Sequence, residues 1–498
     1  MNVLDKSSYE LVTFQPIWLP YNKESEGLCA AAIQSLELNA DGKTGQKNRL
    51  LVASFLHAAN LVRRKLSREG EGSLPVHLGV SRSAASWSNY PLVGKDVSIS
   101  FVDRLVEANW IIQVEGSGDR GFVKDKVTEK WTANPTMTMY HLDESSIFEN
   151  ATGAERYIQV GRPLIKVNQA EARGQRQHRK SRKLAKPVLA PQEARKQFGV
   201  TYTEAGDRVK ALNKFWKMHP LVLIDGNAAA CATRVFHDGR IDAGGRFYGL
   251  WTGLEGSLRL KSTIDGEQVC QIDIRGSQPT LLSALLGVKL SGISDHGTWH
   301  DVYTQITGLW EHGVTVEALI ASSADPTLPD PFIRPRQIAK RVIMEIIGTG
   351  NVEKASPSSE LVEETGVTND EWDLFKAKLV KAIPALKMLE PRYDEKGDIS
   401  GYINGPGFLS YHESELILQT IEALHSQGIP AYPVHDCLIV RVQDAAKGVK
   451  VLKDTVCQYC FDLNGLKVSV PLTVETSEGH MSDNDLGLHT DELRGQYL

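Results

Sequence analysis

A mixed α/β chain of the α+β kind, divided into more than one domain, is what the sequence predicts, and three observations predict it. The chain has 498 residues, 41% apolar and 23% charged, which is ordinary for a globular protein and too long for a single core. Residues 269–274 (VCQIDI) alternate, with Cys270, Ile272 and Ile274 on one face and Gln271 and Asp273 on the other, as in a sheet covered on one side. Apolar residues recur at helical spacing in NRLLVASFLHAANLVRRKL from Asn48 and in DVSISFVDRLVEAN from Asp96.

The first 45 residues show no clear period and are set apart as an N-terminal extension. Residues 46–150 begin with the helix from Asn48, whose Arg63, Arg64 and Lys65 suit a helix C-terminus. A second helix carries Val97, Phe101, Leu105 and Val106 on one side. It leads into the strand WIIQVEG, the turn residues Gly116, Gly118 and Asp119, and GFVKDKVTEKWTANP. A helix and then a two-stranded ribbon with a charged tip is the order of a winged helix. That reading predicts nucleic-acid binding through Lys95 and Arg104 on the helix and Arg120 and Lys124 on the wing. A helix–hairpin module packed on the rest of the protein has the same pattern.

Residues 151–200 form a basic linker. From Gln169 to Gly199 it holds nine Lys or Arg residues, among them Arg179, Lys180, Arg182 and Lys183, against Glu171 and Glu193. The net charge of −5 argues against a nucleic-acid partner for the chain as a whole, but this uneven distribution reverses the inference locally. The segment reads either as phosphate-binding or as solvated linker. Past the breakers Pro187 and Pro191, residues 201–480 alternate strands, glycine turns and helices, and residues 481–498 are an acidic tail. No apolar run approaches the roughly 18 residues that cross a bilayer, and the first residues carry no leader pattern, so a cytoplasmic protein with no membrane partner is expected. Six cysteines do not make a disulfide framework. Cys457 and Cys460 read as two thiols on a buried helix face, with metal or redox use as the alternative.

The chemistry gathers around two aspartates. At 430–442 (PAYPVHDCLIVRV) two apolar strand segments meet at His435 and Asp436, where a hairpin normally has Gly or Asn. A carboxylate there is costly unless a cation compensates it. Asp273 and Asp436 on strands of one sheet are what two-metal phosphoryl transfer needs: two Mg2+ ions, or Mn2+, one at the attacking 3′-hydroxyl and one at the triphosphate. Cations for the triphosphate lie in PFIRPRQIAKRVIMEIIGTGN, where a helix is expected after Pro335. Arg336 and Lys340 share its face, flanked by Arg334 and Arg341, although a solvated surface helix has the same charges. GGRFYGLWTGLEGSLR (244–259) interleaves Arg246 and Arg259 with Phe247, Tyr248 and Trp251. It suits either a nucleic-acid strand beside the site or a hairpin with packed aromatics.

These residues resemble a known family. VCQIDIRGSQPTLLSALLG (269–287) is similar to motif A of the family A (polymerase I type) DNA polymerases, which makes Asp273 the metal-binding aspartate and puts Gln278 at the sugar-discriminating position. VHDCLIV resembles motif C and supplies His435 and Asp436. RQIAK resembles the start of motif B, the fingers helix, so Arg336 and Lys340 fall on triphosphate-contacting positions. HDVYTQITG (300–308), YHESELILQTIEALHSQGI and KVSVPLTVETSEG follow as the helix after motif A, the helix before motif C and the last palm strand. The resemblance covers residues 240–480. It implies a polymerase palm with an antiparallel sheet and helical fingers, preceded here by the winged-helix-like domain. The sequence departs from the family at Met344 and Gly348, which replace the aromatic and the Tyr-Gly pair of the fingers, at Cys437, which follows the motif C aspartate, and at Gln278, which replaces an acid.

The expectation is therefore a template-directed nucleotidyltransferase that adds nucleotides to a 3′-hydroxyl. Asp273 and Asp436 hold metal, His435 stands near the primer end, Arg336, Lys340, Gln278 and Met344 meet the nucleotide, and DNA template and primer are partners. Gln278 leaves dNTP and rNTP both open, so a primase or RNA polymerase-like enzyme is a variant of this reading. The stretch before Asp273 is too short for a full thumb and nothing upstream resembles a proofreading exonuclease. The N-terminal module and the basic linker are thus expected to hold the duplex, in replication or repair of a phage, plasmid or other mobile element. The competing readings are a DNA-binding replication initiator or regulator with an inactive palm, and a metal-dependent nuclease, which has no use for a triphosphate-binding helix.

Overall fold

Burial of the alternating apolar positions builds an α+β fold with antiparallel-rich sheets. A computed structural model describes residues 10–66, 75–81, 87, 90, 92–114, 122–124, 131–133, 137–143, 151–170, 186–290, 303, 333–389, 391–393, 399–402, 405–489 and 493. For 122–124, 131–133, 137, 333–337, 391–393 and 399–402 it describes the backbone alone. The chain divides into two units, Met1–Leu164 with Lys210–Thr233, and Ile165–Val209 with Arg234–Leu498.

In the first unit, residues set apart as an extension carry regular structure. Helix Lys23–Ser35 starts with a capping box, in which the Asn22 side chain accepts from the Ser25 amide and Ser25 Oγ accepts from the Asn22 amide. Its inward positions Ser25, Leu28, Cys29 and Ala32 keep helical spacing with small or weakly apolar side chains, which is why hydropathy showed no period. Strand Glu10–Thr13 pairs in parallel with Val76–Ser81, the two joined through helix Gly42–Leu66. A second sheet orders Leu221–Val222, Ala228–Ala229, Tyr157–Gln159 and Trp18–Pro20.

Helix Lys95–Glu107 and strand Ile111–Gln113 follow in the expected order, but the ribbon has a different register. Ile111–Gln113 pairs with Met137–Leu142, and Phe122–Lys124 pairs with Trp131–Ala133, so the two pairings nest about residues 125–130 and not about Gly116–Asp119. Met137–Leu142 also pairs with Val76–Ser81 and buries Met139 and Tyr140, which makes it the strand that Ile111 can join with its own side chain buried. Lys95 is the first residue of the helix and half-buried, and Arg104 is exposed in its last turn. Arg120 and the linker residues Arg179, Lys180, Arg182 and Lys183 lie outside the described residues, and for Lys124 only the backbone is described.

The second unit is built on strand Glu267–Ile274. It pairs antiparallel with Cys437–Arg441 on one side and Leu472–Thr476 on the other, and Ala431–Val434 extends the sheet beyond Cys437–Arg441. Cys270, Ile272 and Ile274 are buried and Gln271 and Asp273 only partly so, as the alternation predicts. Helices Gly405–His425 and Ala445–Asn464 pack together, and the second lies so close to the central strand that a Cβ at Gly448 would stand 2.5 Å from Ile272 Cδ1. The opposite face, with Asp273, is thereby left for other use. The tail is not separate from this sheet: Leu493 is buried and its carbonyl accepts from the Leu472 amide.

Helix Ile333–Thr349 begins three residues earlier than expected, because Pro335 is tolerated in the first turn, where amides lack helical acceptors anyway. It buries Ile338, Ala339, Val342, Ile343, Ile346 and Ile347 and leaves Lys340, Met344 and Gly348 exposed. Among the described residues no helix is long and apolar enough to cross a membrane.

Candidate active site

Two strands and a turn bring the aspartates together. In the register of the sheet Asp273 faces Cys437, the residue after Asp436, and on its other side it faces Thr473. His435 and Asp436 form the two-residue turn between Ala431–Val434 and Cys437–Arg441, with His435 in the left-handed region at φ 55°. Trp251 holds this turn from behind: its ring meets Tyr432 edge-on at 5.0 Å and its Nε1 donates to the Pro433 carbonyl at 2.7 Å.

Asp273 Oδ1 is buried and accepts no hydrogen bond among the described residues. Burial, and then the negative charge of Asp436, pushes its carboxyl up to about 8, against the opposing charge of Lys340. A buried oxygen with no donor, beside a second carboxylate, is a position that a cation completes. Among the described residues no group of three or more His, Cys, Asp or Glu side chains is placed to hold a metal ion. Cys437 is not a further ligand: its thiol donates to the Val434 carbonyl at 2.9 Å, and burial raises it well above the ordinary thiol range. Burial, with the charge of Arg246, lowers His435, which keeps the imidazole neutral at pH 7. His435 Nδ1 is buried without a hydrogen-bond partner among the described residues, and the Tyr248 ring meets the imidazole edge-on at 6.1 Å.

Helix Ser277–Leu286 follows the central strand through Gly276, whose left-handed backbone (φ 52°, ψ 45°) makes the turn and serves as N-cap. Gln278 stands in the first turn, and its Oε1 is buried without a hydrogen-bond partner among the described residues. Lys340 and Met344 lie one turn apart on the exposed face of helix Ile333–Thr349, and the charge of Lys340 reaches Asp273. Arg336 lies one turn before Lys340, in a stretch described by backbone alone. Arg341 turns away, toward Glu360 at 3.5 Å and Glu364 at 3.4 Å.

The segment 244–259 divides between surface and core. Phe247 and Trp251 are buried, so these aromatics pack and do not form a stacking platform, while Tyr248 stays partly exposed. Arg259 is a correction to the expected nucleic-acid contact. It is buried and donates to Gln271 Oε1 at 3.1 Å and to the carbonyls of Leu254 and Trp251, tying the turn to the central strand. Arg246 is half-buried and makes a two-pronged ion pair with Glu413, at 2.7 and 3.0 Å.

Glu413 was not singled out from the sequence. Helical spacing places it on one face with Leu409, Leu416, Ile417 and Thr420, all buried, and an acid in that row is the signal that could have found it. Burial pushes it up to about 7, with Arg246 opposing and Asp436 adding. Arg234, with a side chain 1% exposed, was also missed; it joins the Gly245 carbonyl, Ser414 Oγ and Glu415. All six cysteines are free; Cys460 is buried and Cys457 half-buried. Of the segment 300–308, only Tyr303 is described.

No family model matches the chain, and no curated protein matches it. Among solved structures, the POL domain of Pol1 from M. smegmatis, in complex with DNA primer-template and dNTP, is similar with a TM-score of 0.32 at 10% identity. The similarity covers 58% of this chain and 56% of that one, so the chain spans little more than half the length of its neighbour.

Proposed function

We propose that this protein is a template-directed nucleotidyltransferase of the polymerase type, with DNA template and primer and a nucleoside triphosphate, dNTP or rNTP, as its substrates. One observation carries the reading: Asp273, on the central strand, places a buried carboxylate oxygen that has no hydrogen-bond partner among the described residues beside Asp436, in the turn that leads into the adjoining strand, with Lys340 in electrostatic reach.

The two carboxylates are hard oxygen donors, which fits Mg2+ or Mn2+ and not a thiolate-seeking metal. Asp273 and Asp436 would hold two such ions, which would supply charge neutralisation at a 3′-hydroxyl and at a triphosphate. The other residues position the reactants. Lys340, with Arg336 on the turn before it, binds the triphosphate. Met344 lies one turn further along the same face, where the base arrives. Gln278 offers its Oε1, which has no partner among the described residues, to the sugar, where a 2′-hydroxyl can donate to it. Neutral His435 and Arg246 stand at the end of the strand being extended. Positioning and electrostatic stabilisation carry most of the acceleration in phosphoryl transfer.

The test is labelled-nucleotide incorporation on a primed DNA template with Mg2+, run with dNTPs and rNTPs side by side. Asp273→Ala and Asp436→Ala are each expected to lower incorporation by at least about 1,000-fold, equivalent to about 4 kcal/mol at the transition state. Incorporation that persists in both variants places the chemistry elsewhere. No incorporation under any primer, nucleotide or metal condition, with DNA binding intact, makes the protein a replication initiator or regulator.

A further inference from the structure

We propose that Glu413 is a positioning residue: its buried carboxylate fixes the Arg246 guanidinium beside the His435–Asp436 turn, so that the remaining N–H groups of Arg246 are presented to the strand extended there. The proposal rests on the nucleotidyltransferase reading and adds to it a part that acts through another residue.

The geometry is specific. Arg246 donates from Nε to Glu413 Oε1 at 2.7 Å and from Nη2 to Oε2 at 3.0 Å. The five N–H groups of a guanidinium lie in one plane, so this grip fixes the plane and leaves both N–H groups of Nη1 and one of Nη2 directed away from the carboxylate. Nη1 has no hydrogen-bond partner among the described residues, and a quarter of the Arg246 side chain is exposed. Glu413 itself is 1% exposed, so it cannot follow a moving arginine into solvent.

The strand that carries Arg246 is pinned independently to the same helix. Arg234 Nε donates to the Gly245 carbonyl at 2.8 Å, Ser414 Oγ donates to the Gly244 carbonyl at 3.3 Å, and Glu415 holds Arg234 at 2.6 Å. The Arg246 side chain and the backbone of the two residues before it are thus referred to three successive residues, Glu413, Ser414 and Glu415. An arginine needed only for charge would not require this.

Arg246 also serves a definite side of the site. Its charge acts on His435 and Asp436, whereas Lys340 acts on Asp273. Glu413 itself also acts on Asp273, as the last of the influences on it, so Arg246→Lys, which leaves Glu413 in place, is the variant expected to impair the extended strand and leave nucleotide binding alone.

The test uses the full-length protein and primer extension, with kcat, nucleotide KM and thermal midpoint recorded for each variant. Glu413→Gln keeps the shape and one acceptor but loses the charge. It is expected to lower kcat by about 10- to 100-fold with nucleotide KM within about twofold. Arg246→Ala should lose at least as much, and Glu413→Gln added to Arg246→Ala should cost nothing more, because Glu413 acts through Arg246. A merely structural role would lower the thermal midpoint without that pattern. If Glu413→Gln fails to fold, Arg246→Lys carries the test: it keeps the charge, cannot be gripped at two points, and is expected to show the same kcat loss. Incorporation abolished by Asp273→Ala but unchanged in Glu413→Gln and Arg246→Lys overturns the positioning role alone. No incorporation by the wild type overturns the underlying reading and this role with it.

Discussion

His57 shows what one buried residue does to the pH behaviour of the first unit. It is 6% exposed and stacks on Trp18 with ring centres 3.7 Å apart. Burial lowers its pKa to about 3, which the charge of Asp225 does not offset. The unfolded chain has the ordinary value of about 6.5. Between these values the unfolded state binds a proton that the folded state refuses, so stability is full above about pH 6.5 and declines as pH falls toward 3. The decline is at most about 1.4 kcal/mol per pH unit. Urea midpoints from pH 7 to 4 should therefore fall less steeply in His57→Phe, which keeps the stack and cannot be protonated; parallel slopes would show that His57 does not titrate on unfolding. Nothing in the sequence marks His57, since a histidine on a helix face has no pattern of its own. Asp273 and Asp436 could be singled out because one is an acid on the open face of a strand of period two and the other a charge at the turn of an apolar hairpin, both of which hydropathy records directly. Arg259 was misread for the complementary reason: its charge is visible in the sequence, but the carbonyls that satisfy it are not.

At the scale of elements, the turn at His435 and the strand Gly244–Tyr248 bring different costs to the site. His435 is a non-glycine residue at φ 55°, which costs on the order of 1 kcal/mol and is held by the strands on either side. Gly244 and Gly245 instead use the freedom of glycine, at φ 84° and 83°. A Cβ at Gly245 would lie 2.8 Å from Ser414 Oγ, 3.0 Å from Arg234 Nη2 and 3.1 Å from Phe236. Gly245→Ala is therefore expected to destabilise by about 2 kcal/mol or more, from backbone strain and from displacement of the buried arginine. Gly256→Ala should change stability by less than about 1 kcal/mol, because a Cβ there meets nothing nearer than 3.9 Å and the backbone is helical. Chemical denaturation of both variants checks the contrast, and equal losses would remove the close approach as its cause. The two glycines were readable as turn residues. Their role as the seat of Arg234 depends on a helix some 170 positions later in the chain, and local pattern has no access to such a partner.

Across the whole molecule, the division of the chain explains why domain limits were harder to read than the site. The expected boundaries are single cuts near 45, 150, 200 and 480, where composition or pattern changes. The contacts instead give residues 210–233 to the first unit and 165–209 to the second, so the chain passes between units three times. The reason lies in short strands that no hydropathy window resolves. Ala228–Ala229 pairs in parallel with Tyr157–Gln159, the Asn227 side chain accepts from the Tyr157 amide, and Leu221 and Ala228 are fully buried. A two-residue strand of alanines has too little apolar area to announce itself, but its backbone amides and carbonyls still need partners once water is excluded. A chain beginning at residue 201 keeps the acids and cations of the candidate site and loses the strands that pair with 221–229. It is expected to bare Leu221, Ala228 and Ala229 and to aggregate or melt at lower temperature than the full chain, so loss of template binding in it would not by itself assign DNA contact to the N-terminal part. The cleaner comparison keeps the fold and removes only charge, with Arg179, Lys180, Arg182 and Lys183 replaced by Gln in the full chain. If the basic segment contacts phosphates, the slope of log Kd against log salt for primer–template DNA should become shallower by up to about 3 to 4, with the thermal midpoint unchanged. An unchanged slope would make the segment a solvated linker and leave the duplex to other parts of the chain.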